Sequence, residues 1–204
     1  MGYYSDHVVP RLLNRVGAAS RLAPWRQMAC EGLSGTVVEI GFGSGLNVPF
    51  YPTKIERVFA VEPSSLAMKL GAKRIRSAMV PIERVGGDAH AIPLDDETCD
   101  MALSSFTLCS VDVPAFVLRQ VWRVLKPGGQ YHFLEHGLAP TFGLALTQRV
   151  LDPLQRKLAG GCHLTLRPLA LIREAGFELL WSDEGPISGP KPWSYLSAGV
   201  AIKM

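Results

Sequence analysis

The feature that most constrains the fold is a regular alternation of short apolar runs with longer helical patterns. Short runs rich in apolar and β-branched residues predict strands, and the apolar spacing of the segments between them predicts helices. Strands separated by helices form a parallel sheet that is covered on both faces. The last two predicted strands are joined by a Pro- and Gly-rich loop, which favours an antiparallel hairpin at one edge. The predicted strands are 37–40, 57–62, 82–85, 99–105, 129–135, 177–181 and 195–202, and the predicted helices are 8–16, 25–33, 64–77, 114–125, 141–158 and 169–175.

Charge and composition exclude several classes of protein. The 204 residues include 21 Lys and Arg and 18 Asp and Glu, a net charge of +3, which is too small for a dedicated nucleic-acid-binding domain. The longest stretch without an acid or base, 40–53, is broken by Gly and Pro, and it is shorter than the ~20 apolar residues of a membrane span. The four cysteines form no CxxC pair and no metal-ligand cluster stands out, so we expect no metal and a reducing, cytoplasmic setting.

The first predicted strand runs directly into a glycine-rich turn, Glu39-Ile-Gly41-Phe-Gly43-Ser-Gly45. Glycine permits a tight turn and a close approach of backbone to a ligand. A dinucleotide-binding turn would need glycine at position 46, where this chain has Leu, and a phosphate-binding P-loop would need Lys followed by Ser or Thr. An acid beside the turn suits a cationic ligand better than a pyrophosphate, and the alternative is a turn that holds no ligand.

Three further segments lie at predicted strand boundaries. Glu62 ends the second strand, where an acid can accept hydrogen bonds from both ribose hydroxyls or simply lie on the surface. Asp88 follows the third strand and is either a ligand-binding acid or a turn residue. The segment Leu125-Lys-Pro-Gly-Gly129 stops a helix and starts the fifth strand.

In this order, the four segments resemble the motifs of class I methyltransferases that use S-adenosyl-L-methionine (SAM), in the type 11 branch. The resemblance implies a Rossmann-like, seven-stranded, mostly parallel sheet in the order 3-2-1-4-5-7-6, with the last strand antiparallel. It also implies SAM as cofactor and S-adenosyl-L-homocysteine (SAH) as product. Glu39 would hold the methionine end, Glu62 the ribose and Asp88 the adenine amino group. Further cofactor contacts are expected from Gly41, Gly43, Gly45, Asn47, Pro63, Ala89 and Ser105.

The methyl acceptor should bind above the ends of the fourth and fifth strands. His136 lies nearest the end of the fifth strand and is the first candidate for a base or an acceptor contact; alternatively it donates to backbone. Cys109 either lines the pocket or is a small buried residue, and His163 either covers the acceptor or lies on the surface. Tyr4 and His7, three residues apart, belong to a lid or to plain N-terminal packing.

A narrower resemblance links the chain to the methyltransferase-like alkyl-thiol S-methyltransferases of animals. It covers about residues 35–180 and implies a small apolar acceptor, with a thiol as the best guess. The animal proteins carry an N-terminal membrane anchor, which we do not find in this sequence, so we expect no fixed membrane location. The stretches that carry this resemblance are 39–51, 107–111, 133–136 and 161–165.

A looser resemblance to ubiquinone and menaquinone C-methyltransferases keeps a quinone or lipid-headgroup acceptor open. A SAM-binding protein without catalysis is the remaining alternative. We expect one globular unit, in which an N-terminal helical lid (1–34) precedes the SAM-binding methyltransferase domain (35–204). The expected partner is a small-molecule acceptor, with no nucleic acid and no membrane span.

Overall fold

A computed structural model describes residues 2–204 and confirms the predicted sheet. Seven strands are ordered β3-β2-β1-β4-β5-β7-β6, and β7 runs antiparallel to both of its neighbours while the other pairings are parallel. The strands are β1 (Gly35–Ile40), β2 (Ile55–Val61), β3 (Ile82–Gly86), β4 (Cys99–Ser105), β5 (Leu125–His136), β6 (Glu178–Pro186) and β7 (Tyr195–Ile202). The α-helices are α1 (Val9–Gly17), α2 (Ala23–Cys30), α3 (Ser65–Arg76), α4 (Pro114–Val124), α5 (Phe142–Leu158) and α6 (Pro168–Glu174).

The sheet has a hydrophobic core on each face because successive side chains of a strand point in opposite directions. On one face, Val38 and Ile40 of β1 pack with α4 and α6. On the other face, Val37 packs with α2. Glu39 shares the face of Val37, so the acid at the end of β1 points toward the side that α2 covers.

Strands β1, β2 and β3 are one or two residues longer than the sequence predicts, and β5 and β6 are longer by four or more. β5 begins at Leu125, four residues before the predicted start at 129, because Leu125 already pairs with Cys99 ahead of a register shift. β6 continues to Pro186, beyond the predicted end at 181, because β7 pairs with it along that whole length. The helices begin and end close to the predicted positions.

The first helical segment of the chain lies over the carboxyl ends of the strands, whereas α2 packs on a face of the sheet. One π-helical turn, Tyr4–Val8, leads into α1, which buries only Val9 and Pro10. Asn14 of α1 ties this segment to the body of the protein, since its side-chain oxygen accepts hydrogen bonds from Ser44 (2.8 Å) and Arg74 (3.2 Å). Within residues 2–204, every helix is too short or too polar to cross a bilayer.

Candidate active site

The carboxyl ends of β1, β2, β4 and β5 open into a cavity of about 1640 Å³. A pocket for one small ligand usually measures about 300–1,000 Å³, so this cavity has room for a cofactor and a second molecule. The glycine turn and the ends of β2 and β3 line one part of it. The N-terminal segment, the turn after β4 and the loop after α5 line the rest. Ligands of parallel α/β sheets bind at this edge.

The glycine turn lines the cavity through Gly41 and Gly43 as well as Phe42 and Ser44. Gly41 has φ of +67°, and a Cβ atom there would lie 2.1 Å from the Thr107 hydroxyl oxygen, so only glycine fits. Gly43 has φ of +60° and also lines the cavity. Gly45 lies behind the turn, where an added Cβ would meet Phe42 at 3.0 Å. The turn therefore offers bare backbone to a ligand at its first two glycines.

Glu39 is buried at the base of the turn within a polar network. The Asn47 side-chain amide donates to its carboxylate at 2.9 Å, and the Tyr51 hydroxyl donates to its other oxygen. Asn47 also donates to the Ser105 hydroxyl at 3.0 Å. Glu39, Asn47 and Ser105, which the sequence predicts as cofactor contacts, therefore belong to one hydrogen-bond network. Burial raises the pKa of Glu39 to about 7, although these hydrogen bonds and the charge of Arg26 oppose the shift.

Arg26 of α2 is a site residue that sequence reasoning missed. Its guanidinium is buried, donates to the side-chain amide oxygen of Asn47 at 2.6 Å and lies 5.5 Å from the ring centre of Phe106. Burial lowers the pKa of Arg26, while the nearby Glu39 raises it. No local motif marks this arginine, because its partners come from two distant segments of the chain.

Glu62 joins the end of β2 to the glycine turn. One carboxylate oxygen accepts from the backbone N–H of Gly43 and the other from that of Ser64, each at 2.7 Å. Burial raises the pKa of Glu62, and the two backbone N–H groups oppose that shift. Glu62 and Pro63 both line the cavity, so this acid is not a surface residue.

Asp88 lies on the exposed rim of the cavity next to Ala89. One carboxylate oxygen accepts from the backbone N–H of His90 at 2.8 Å and lies 3.0 Å from the ring Nδ1 of His90. These contacts lower the pKa of Asp88. Asp88 is therefore the turn residue that the sequence offered as one alternative. Its carboxylate also lies on the rim of the cavity, where it can contact a ligand.

His136 lies at the other end of the cavity beside two cysteines. Its Nδ1 is 3.4 Å from the sulfur of Cys162 and 3.8 Å from that of Cys109, and its ring centre is 4.9 Å from that of Phe106. Burial opposes the charged imidazole, but the contact with Cys162 and the charge of Glu135 raise the pKa of His136. Cys162, which lines the cavity, was not among the predicted site residues; Cys109 is fully buried behind it.

The turn after β4 is held in an unusual conformation. Phe106 has φ of +57°, which a bulky side chain rarely adopts and which is concentrated at functional sites. The buried carboxylate of Glu135 fixes this turn, because it accepts from the backbone N–H groups of Thr107 (3.1 Å), Leu108 (3.0 Å) and Cys109 (3.3 Å). The turn thus positions Phe106 and Cys109 against His136.

The remaining predicted acceptor residues are divided between the cavity and its surroundings. Tyr4 and His7 line the cavity, and the Tyr4 hydroxyl donates to the Leu158 carbonyl at 2.9 Å. His163 points elsewhere, with its Nδ1 3.3 Å from the Asp152 carboxylate, while its backbone N–H donates to the Cys109 carbonyl at 2.6 Å. The loop therefore presents Cys162, not His163, to the cavity.

These residues fit SAM as a cofactor. Two buried carboxylates, Glu39 and Glu62, lie at the carboxyl ends of the adjacent strands β1 and β2, where one can face an ammonium group and the other a ribose. Gly41 and Gly43 line the cavity and carry no side chain, so their backbone can approach a ligand closely.

Comparison with known proteins identifies the family. Residues 38–133 match the family described as a methyltransferase domain. Over 174 residues, the chain is 35% identical to thiol S-methyltransferase TMT1B of Rattus norvegicus, covering 82% of this chain and 68% of the relative. It is 28% identical over 195 residues to demethylmenaquinone methyltransferase of Thermobifida fusca, covering 93% and 73%. A SAM-dependent methyltransferase structure from Thermotoga maritima superposes with a TM-score of 0.67 at 23% identity, covering 98% of this chain and all of that one, which shows the shared fold.

Proposed function

The chain belongs to the SAM-dependent methyltransferase family, and from that premise we propose that it methylates the sulfur of a small, apolar thiol. The observation that carries this proposal is the acceptor end of the cavity. There Phe106, His136 and Cys162 share the lining with apolar residues of the N-terminal helix, Val9 and Leu13 among them. The rat relative named as a thiol S-methyltransferase supports the same acceptor class.

We assign the cofactor end of the cavity to three acids. Glu39 faces the ammonium of the methionine portion, Glu62 the ribose hydroxyls and Asp88 the adenine amino group. The family relationship and the positions of these acids along the cavity support the assignment. Bound SAM supplies a methyl group on a positively charged sulfur, so the donor is already activated.

The protein then has to align the acceptor and exclude water. A thiol needs little further help, since its pKa of about 8.5 leaves a few per cent as thiolate at neutral pH. We therefore assign His136 as an acceptor contact. The N-terminal helices act as a lid, with Tyr4 and His7 over the acceptor and the Tyr4 hydroxyl held by the loop after α5.

A quinone acceptor is the second candidate, because the Thermobifida relative is named as a demethylmenaquinone methyltransferase and aligns with 93% of this chain. Methylation at carbon would require removal of a proton from the ring, and His136 would then be needed as a base.

A panel of acceptors with methyl-labelled SAM tests the proposal. We expect label on short alkyl thiols, and Glu39→Gln should reduce it while Glu83→Gln, an exposed residue of β3, should leave it unchanged. Label on a demethylated quinol alone would favour the second candidate. SAH binding without turnover on any acceptor would leave a non-catalytic SAM-binding protein and refute both.

A further inference from the structure

Cys109, His136 and Cys162 form a compact cluster whose three ligand atoms lie within 4.8 Å of one another. The two sulfurs are 3.5 Å apart, and the Nδ1 of His136 is 3.8 Å from the first and 3.4 Å from the second. All four cysteines of residues 2–204, these two included, are free thiols.

The spacing of these atoms is that of a tetrahedral zinc site. With Zn–S of about 2.3 Å and Zn–N of about 2.0–2.1 Å, two sulfur ligands are about 3.8 Å apart, and a sulfur and a nitrogen about 3.5 Å. The observed separations of 3.4–3.8 Å match these edges closely. A disulfide, in contrast, would require the sulfurs to approach to about 2.05 Å.

Three separate segments are held together to build the cluster. Glu135 fixes the turn that carries Cys109, and β5 carries His136. The loop that carries Cys162 packs against that turn, because the His163 N–H donates to the Cys109 carbonyl and a Cβ on Gly161 would lie 2.7 Å from the Ser110 carbonyl oxygen. Such supporting contacts are what orient metal ligands in proteins.

The electrostatics of the cluster favour a cation. Two thiolates and a neutral imidazole balance a divalent cation, and the buried Glu135 adds negative charge nearby.

From this geometry we infer that Cys109, His136 and Cys162 bind a thiophilic divalent cation such as Zn²⁺, with a fourth position open to the cavity for the acceptor sulfur. Cys162 and His136 line the cavity, whereas Cys109 is buried behind them, so a cation among the three is reached from the acceptor side. Three protein ligands and one open position are typical of catalytic zinc.

The assignment of the fourth position rests on the proposed function. An acceptor thiol that binds the cation releases its proton to solvent and remains a thiolate nucleophile at neutral pH. Its sulfur then forms a bond to the methyl carbon as the sulfonium–methyl bond breaks, which yields a thioether and SAH. The neutral thioether is the weaker ligand and leaves.

Metal titration of the full-length, reduced, metal-free protein tests the cation site without SAM or acceptor. We expect one Zn²⁺ per chain in competition with a chromophoric chelator, and a thiolate-to-metal charge-transfer band when Co²⁺ is used. Cys162→Ser should weaken Zn²⁺ binding by more than about 100-fold. This is more than the loss of about 10- to 100-fold that follows when a residue supporting a metal ligand is changed. Cys99→Ser is the matched control, since Cys99 is also buried but starts β4 at the opposite end, and it should bind Zn²⁺ as the parent does.

SAH binding and circular dichroism establish that each variant is folded. The absence of stoichiometric Zn²⁺ or Co²⁺ binding by the parent protein, or equal binding by Cys162→Ser, would overturn the cation site. Addition of a short alkyl thiol to the Co²⁺-loaded protein should intensify the charge-transfer band. An unchanged band would overturn the fourth position while leaving the cation site and the methyl transfer standing, because each has its own assay.

Discussion

Replacing Glu39 with Gln tests the buried acid at the base of the glycine turn. The substitution preserves the shape of the side chain and removes its charge. Glu39 is 1% exposed, and burial raises its pKa from 4.5 to about 7 in the folded protein. In the unfolded chain the ordinary value applies, so folding and proton binding are linked.

The raised pKa of Glu39 determines whether stability rises or falls with pH. Between pH 4.5 and 7 the folded state binds this proton more tightly than the unfolded state, so its stabilising contribution is complete below pH 4.5 and is lost as the pH rises past 7. The shift corresponds to about 3 kcal/mol. Relative to Glu39→Gln, the parent protein should therefore lose about 3 kcal/mol of unfolding free energy between pH 4.5 and 8. Urea denaturation of both proteins across this range measures the difference, in which other titrating groups cancel.

Cofactor binding should reverse the cost of the buried charge. A cationic ammonium beside Glu39 stabilises the carboxylate, so the affinity of the parent for SAM, relative to Glu39→Gln, should rise by up to about 10-fold between pH 6 and 8. Isothermal titration at several pH values measures this, with the exposed Glu83→Gln as the control. A stability difference that does not change with pH would refute the buried-charge argument, and equal SAM binding by both proteins would refute the assignment of Glu39 to the methionine end.

Three further substitutions test other parts of the site. Gly41→Ala forces both an unfavourable φ and a clash with Thr107, so it should abolish SAH binding in a calorimetric titration. The control Gly128→Ala also has a positive φ (+76°), but no atom of residues 2–204 lies within 4 Å of the added Cβ, so it should retain SAH binding. Glu135→Gln replaces an acceptor with a donor facing backbone N–H groups and should lower the unfolding free energy in urea by about 1–3 kcal/mol; an unchanged value would contradict the anchoring of the turn. Asp88→Asn should change stability by less than about 0.5 kcal/mol, because the side chain is exposed, yet weaken SAM binding several-fold if it meets the adenine.

The fold was predictable because its signals are local. Most strands contain a short apolar run bounded by turn residues, and the resemblance of the motifs at their ends supplied the strand order that the structure confirms. The differences lie at strand ends. The start of β5 depends on the pairing of Leu125 with Cys99, and a contact between residues so far apart leaves no mark on either segment alone.

That the residues predicted to hold the cofactor line one cavity follows from equally local signals. Glu39 and its glycines are contiguous, and Glu62 and Asp88 follow strand ends that the sequence marks clearly. Arg26 and Tyr51, which complete the network around Glu39, were missed, since nothing near them in the sequence distinguishes them from ordinary helix and loop residues.

The acceptor end is assembled from segments that are far apart in sequence. Each segment alone is consistent with a purely structural role. In the sequence, Cys109 is indistinguishable from a small buried apolar residue. Cys162 is adjacent to His163, and the sequence favours the histidine as the acceptor contact. Only the packing of Gly161 on the turn after β4 brings the two sulfurs together and turns His163 toward Asp152. The two ends meet at the start of the turn after β4, because Ser105 accepts from Asn47 and the Thr107 hydroxyl donates to the Ile40 carbonyl. Within residues 2–204, the loop around Cys162 makes no such contact, so the acceptor can change there while the hydrogen bonds of Glu39 and Glu62 stay as they are. In this family we therefore expect the cofactor to be predictable from local sequence motifs, and the acceptor from the contacts between loops.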